Sequence, residues 1–468
     1  MILNNDATGI LAALANRDIS AADLMAQTLA RIDAVNPAVN AIVALRPADD
    51  LLAEAKAADT TAPKGPLHGL PIAIKDLAET RGVRSTYGSP VFADNIPTAD
   101  SLMVARIRAA GAIIIGKTNT PEFGLGSHSY NPVYGTTRNP YDATRSAGGS
   151  SGGAAVALAT RMLALTDGSD MMGSLRNPAA WNNVYGFRPS YGVVPADPIG
   201  DTFLHQLSTN GPMARSIRDL SLLLHVIGTP DARLPHSTTA FQPLPDTSTM
   251  SGITIGWVRD WGGYYPIDPE ILTLCENALE QMRELGTTVV SFIPPIAPEQ
   301  LWQSWTTLRS WAIAAKQAPL YQNPKTRDLL KPEMIWEIER GLSLSPLDIH
   351  NASVIRSKWF AAFASQTEVD VMALPSAQIF PFNADWHWPK TVMGRDMDTY
   401  HRWMEVVVPA SLTGLPALNV PVGFGEQGLP TGLQLIGQRG TDAHILQLGQ
   451  TWHAATDWPN QRPPHFPP

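Results

Sequence analysis

Two serines inside a run of glycines, TRSAGGSSGGAAVA (residues 144–157), are residues whose types and spacing can do chemistry. Glycine gives up more backbone freedom on folding than any other residue, so the cluster around Ser150 and Ser151 marks a constrained backbone. A phosphate cradle is excluded, because no Lys-Ser or Lys-Thr follows at the required spacing. A dinucleotide-binding turn is excluded as well, since Ala147 stands where its first glycine belongs. Gly148-x-Ser150-x-Gly152 fits the nucleophile elbow of serine hydrolases, but that motif follows a buried strand. Here the preceding residues, TTRNPYDATRSA, are polar and proline-containing. A structural turn capping a helix is the plain alternative.

A second serine loop weakens that alternative. In LALTDGSDMMGSLRNPAAW (163–181), Ser174 comes just after a strand and at the start of a short helix. The backbone N–H groups of Met171, Met172, Gly173 and Ser174 are expected to be free there, as in any helical first turn. Free donors beside a hydroxyl are what an oxyanion hole requires. Gly173 gives the turn latitude, and Asp170 and Arg176 are spaced so that a carboxylate–guanidinium pair can pin it. A nucleophilic serine also needs a base. None of the eleven histidines stands in a recognisable motif. Lys75 differs: the apolar strand in GLPIAIKD (69–76) delivers it to the strand's carboxyl end, where α/β folds build their sites. It is a base candidate because two serine-bearing loops offer it partners.

The elements that must position these groups alternate. Residues 1–60 read as helical, with Ser20 as N-cap of AADLMAQTLARIDAV and Pro37 closing that helix. Strands are expected at GLPIAIKD, AIIIGK, RMLALT and near GFRPS, separated by helices at DSLMVARIRAAG, after Ser150 and after Ser174. Ser216 and Asp219 form a capping box before SIRDLSLLLHVIG, and ITIGWV, PEILTLCENALEQMRELG and TTVVSF read as strand, helix, strand. This order predicts an α/β fold: a large, mostly parallel or mixed sheet with helices on both faces. Residues 65–230 carry the motifs, and 295–405 have a different texture, with eight of the thirteen tryptophans. Residues 1–468 are read as one continuous domain.

The formal charge is −8, from 34 Lys plus Arg against 42 Asp plus Glu, with no basic run, which argues against nucleic-acid or anionic-membrane partners. The single cysteine, Cys275, excludes an intrachain disulfide and any multi-thiolate metal site, and suits a reducing compartment. With no secretory pattern at the start and no apolar run of spanning length, a cytoplasmic location is expected.

GLPIAIKD, SAGGSSGGAAVALA and GSDMMGSLRNPAA, in this order, resemble the amidase signature family of serine hydrolases. ISAADLMAQTLARIDAVNPAVNAI, EFGLGSHSYNPVYGTTRNPYD and LTGLPALNVPVGF with GLPTGLQLIG extend the resemblance over nearly the whole chain. It implies the amidase-signature fold and a Ser-cisSer-Lys triad: Ser174 as nucleophile, Ser150 after a cis peptide as bridge, and Lys75 as base. Ser151 becomes a supporting hydrogen-bonder. The implied activity is hydrolysis of amide C–N bonds through an acyl-enzyme, without cofactor or metal, on a small-molecule substrate with water. Esters, anilides and carbamates are further substrates of that chemistry, and a homodimer is left open. Two alternatives accompany it: the glutaminase subunit of a tRNA-dependent amidotransferase, and a non-catalytic binding scaffold. Met172 departs from the usual small residue beside Gly173, and WNN (181–183) departs from an aromatic-small-glycine run. Met171, Met172, Trp386, His387 and Trp388 are candidates for an apolar acyl pocket, which favours hydrophobic or aromatic acyl groups.

Overall fold

The computed structural model describes residues 2–245 and 249–466. A sheet of eight strands forms its centre, running in space Thr288–Ser291, Thr254–Trp257, Val371–Pro375, Pro430–Ile436, Ala417–Phe424, Tyr185–Arg188, Thr209–Ala214 and Leu165–Asp170. The first two neighbour pairs are parallel and the other five antiparallel. The sheet is therefore mixed, with helices around it, and the fold is α/β. A smaller sheet holds Ile42–Val43, Ile113–Thr118 and Pro71–Lys75, with the last strand at its edge.

The strand expected at RMLALT begins later and runs from Leu165 through Asp170. The cause lies in the preceding helix, Gly152–Ala159. Arg161 turns left-handed at φ 60°, and the N–H groups of Met162 and Leu163 return to the carbonyl of Ala157, so these residues close the helix instead of opening the strand. Pro37 likewise does not end its helix, which spans Ala21–Val39. Its ring falls in the last turn, and Asn40, at φ 51°, performs the stop.

The capping box expected at Ser216 is half formed. Ser216 Oγ accepts from the Asp219 N–H, but the Asp219 carboxylate turns away and accepts from the N–H groups of Ala7 and Thr8 at 2.7 and 2.9 Å. It thereby caps the helix Ala7–Asn16. The largest apolar core draws on residues from Leu3 to Trp452. The tryptophan-rich segment supplies the helices Pro298–Gln322, Pro332–Ser343 and Pro346–Ser365 and buries Trp305, Trp359 and Trp403. Among the described residues no helix is long and apolar enough to cross a membrane.

Candidate active site

Lys75 is the last residue of an edge strand whose five residues, Pro71–Lys75, are all buried. Its own N–H has no strand partner on that side and donates instead to the Asp167 carboxylate at 3.0 Å. Asp167 belongs to Leu165–Asp170, the edge strand of the large sheet, so this bond joins the two sheets. The Lys75 side chain is buried and Nζ is surrounded by neutral oxygens only. Ser150 Oγ lies at 2.7 Å, Ser151 Oγ at 2.8 Å, Ser169 Oγ at 2.9 Å and the Ser169 carbonyl at 3.3 Å. With no carboxylate in hydrogen-bond contact, burial pushes the amine down to about 7, against the opposing pull of Asp167 and Asp170. A neutral amine has two N–H donors and one lone pair, so among three hydroxyls one can donate to it.

The glycine-rich stretch puts both serines at that amine. The peptide Gly149–Ser150 is cis. The loop is held from the side by Ser129, whose N–H donates to the Gly148 carbonyl at 3.0 Å and whose hydroxyl accepts from the Gly152 N–H at 3.1 Å. No side chain fits at Gly152 or Gly153: a Cβ would stand 2.4 Å from Ser129 Oγ or 2.3 Å from the Asn119 nitrogen. His128, close to this loop, is tied up by Ser146 Oγ at 2.7 Å and the Ala384 carbonyl at 3.0 Å, and burial holds its imidazole down to about 4. It makes no hydrogen bond to the hydroxyls of Ser150, Ser151 or Ser174.

Ser174 lies in the turn that follows the edge strand, and the helix after it is Asn177–Trp181. Asp170 anchors that turn. Its carboxylate accepts from the N–H groups of Gly173 at 2.9 Å and Leu175 at 3.1 Å, and is bound by Arg176 at 3.0 Å and Arg188 at 3.1 Å. Burial alone would raise this carboxyl, but the two guanidiniums outweigh it and hold it well below the usual carboxylate range. The Gly173 N–H is thus occupied, which reduces the four expected free donors to three. Among the described residues the N–H groups of Met171, Met172 and Ser174 have no partner. Ser174 Oγ also makes no hydrogen bond there, so the structure gathers Lys75, Ser150 and Ser151 into one network and leaves the Ser174 hydroxyl outside it.

The pocket candidates separate. Met172 is 2% exposed and points into the main core, so it does not narrow the site. Met171 is partly buried, and its sulfur accepts from Arg309 Nη1 at 3.1 Å. His387 and Trp388 line a recess beside Ser127, His128, Tyr400 and Trp403, while Trp386 is 53% exposed and stacks on Phe382. Among the described residues no group of three or more His, Cys, Asp or Glu side chains is placed to hold a metal ion.

Sequence reasoning missed Asp167, Ser169, Arg188 and Arg309. Asp167 and Ser169 alternate along one strand and share a face, a period-two signal that was present in TDGSD. Arg188 and Arg309 come from distant elements and left no local sign.

The family described as Amidase matches residues 23–446. The chain is 34% identical to a subunit of the glutamyl-tRNA(Gln) amidotransferase of Chloroflexus aurantiacus, with 97% of each chain covered. It is 31% identical to an acylamidase of Rhodococcus erythropolis, covering 98% of this chain and 96% of that one. Among solved structures, a bacterial aryl acylamidase of the amidase signature family superposes with a TM-score of 0.91 at 26% identity over 99% of both chains. The chain belongs to the amidase signature family, and it is an enzyme that hydrolyses amide C–N bonds.

Proposed function

We propose that this chain is a self-sufficient serine amidase acting on small amides through an acyl-enzyme, with Ser174 as nucleophile, Ser150 as proton bridge and Lys75 as base. The observation that carries the proposal is an amine enclosed by three serine hydroxyls and held near neutrality by burial. Neutral Lys75 takes a proton from Ser150, and Ser150 takes one from Ser174 once that hydroxyl rotates toward it. Catalytic hydrogen bonds commonly tighten only when substrate binds. Ser174 Oγ then attacks the amide carbonyl, and the tetrahedral oxygen meets the unpartnered N–H groups of Met171, Met172 and Ser174. The relay in reverse protonates the departing amine. Water, activated by the same bridge, cleaves the ester. Ser151 and Ser169 keep the amine aimed, while Asp170 with Arg176 and Arg188 keeps the donor turn in shape.

The 34% identity to a component of an amidotransferase favours a second reading, that of a glutamine-hydrolysing subunit working beside partner chains. One experiment separates the two. The purified chain alone is assayed on simple amides and on glutamine, and labelled with a fluorophosphonate probe. A self-sufficient amidase turns over simple amides and is labelled; labelling is lost in Ser174→Ala and strongly slowed in Lys75→Met. Labelling that survives Ser174→Ala refutes the nucleophile. Turnover that appears only with partner chains refutes self-sufficiency.

A further inference from the structure

Arg309 projects from the helix Pro298–Gln322 and is 3% exposed. Its Nε donates to Glu337 at 2.8 Å and its Nη2 to the Tyr400 hydroxyl at 2.8 Å, and Tyr400 in turn donates to Glu337 at 2.7 Å. These partners satisfy one edge of the guanidinium. The remaining nitrogen, Nη1, faces the Met171 sulfur at 3.1 Å. A thioether is a weak acceptor, and of the five N–H donors of an arginine two are left without any partner here. A buried cation whose third ligand is a thioether has hydrogen-bonding capacity to spare.

Its position gives that capacity a direction. Met171 lies three residues before Ser174, in the turn that carries the unpartnered N–H groups. The leaving amine must face its proton donor, Ser150, so the acyl chain extends to the other side of the turn. Tyr400, the second ligand of Arg309, forms a wall of the recess shared with Ser127, Trp388 and Trp403. Lys331 and Glu333 also line that recess, and Lys331 Nζ donates to the Leu125 carbonyl at 2.6 Å. Arg309, held on Met171 and Tyr400, thus puts a guanidinium behind the turn that carries the unpartnered N–H groups, where an apolar wall was expected.

We infer that Arg309 is a specificity-determining residue that displaces the Met171 sulfur in favour of a second oxygen acceptor, a carbonyl or carboxylate, on the substrate's acyl group. The inference rests on the hydrolase reading given above. An acyl group with such an oxygen gains a charge-assisted hydrogen bond; a purely aliphatic one leaves the guanidinium on its sulfur. This revises the expected preference for hydrophobic acyl groups.

The test compares three amides of similar length that all release ammonia: pentanamide, 4-oxopentanamide and succinamate. In the wild-type protein kcat/KM is expected to be about tenfold or more higher for at least one of the two oxygen-bearing amides, mainly through KM, as one charge-assisted bond implies. The carbonyl and carboxylate arms tell a neutral acceptor from an anionic one. Arg309→Lys keeps a cation opposite Glu337 but loses the planar fork, and is expected to bring the ratio close to one. A wild-type ratio at or below one overturns the inference while turnover of pentanamide preserves the hydrolase reading. A high ratio that persists in Arg309→Lys also overturns it. Absence of turnover with all three amides, together with no fluorophosphonate labelling, removes both. The wild-type ratio decides by itself if the variant does not fold.

Discussion

Replacing Asp167 by Asn is expected to lower the pH at which kcat/KM rises. On the proposed mechanism the active form has neutral Lys75, so with the amine at about 7 the profile on an uncharged amide is expected to climb through an inflection near 7. Moving this amine down from 10.5 to about 7 corresponds to about 5 kcal/mol disfavouring its charge. Burial supplies more than that, and Asp167 gives part of it back. Burial also raises the Asp167 carboxyl, to about 6, which leaves it ionised at pH 7 and acting on Lys75. The carboxylate binds the Lys75 backbone N–H, and a lysine side chain reaches roughly 6 Å, so the two charges stand on the order of 8 Å apart. At an effective dielectric of about 20 that separation is worth about 2 kcal/mol, or roughly 1.5 pH units. Asparagine keeps the oxygen that accepts the N–H but not the charge, so the inflection should fall by roughly one unit. The assay is kcat/KM on a neutral amide from pH 5 to 10, with the wild type in parallel. An inflection that stays put or moves up in Asp167→Asn, or a wild-type inflection near the ordinary lysine value, refutes the reasoning.

Gly173→Ala is expected to lower stability by about 2–4 kcal/mol, since φ is +75° and the new Cβ would meet the Val407 methyls at 2.9 Å. Urea melts should show it, and kcat should fall because the donor turn shifts; a melt unchanged from wild type counts against the packing described. Asp170→Asn strands Arg176 and Arg188 without their shared charge, both side chains being fully buried, and should cost about 3–5 kcal/mol in urea unfolding at pH 7. Because the folded carboxyl titrates below its ordinary 3.8, its contribution is fully present above about pH 4 and disappears as pH falls through the folded value. The gap between variant and wild type should therefore close in acid, and a gap independent of pH contradicts the assignment.

How much of this was legible depended on whether the signal was local. The Pro71–Lys75 strand, the helix after Ser151 and the Asp170–Arg176 pair follow from short patterns, and each is present. What escaped involved competition between partners. The N–H of Gly173 reads as free from the chain alone, but a carboxylate three residues earlier takes it. Met172 reads as a pocket residue, but it is buried in the main core. The cluster of Arg309, Glu337 and Tyr400 was invisible, because these residues lie far apart in sequence and converge only when the chain packs. The sheet's antiparallel majority was equally hidden, since strand order is set by packing and not by local propensity.

The carboxylate of Asp219 has a bearing on the order of assembly. The helix Ala7–Asn16 is synthesised early, yet two of its opening amides find their acceptor 212 and 211 residues later. Until the ribosome has delivered that distant turn, those amides have only water to bind, and the helix has no fixed seat. This helix is therefore secured only after the loops that carry Ser150 and Ser174 have been made, which ties it to a turn formed much later in synthesis.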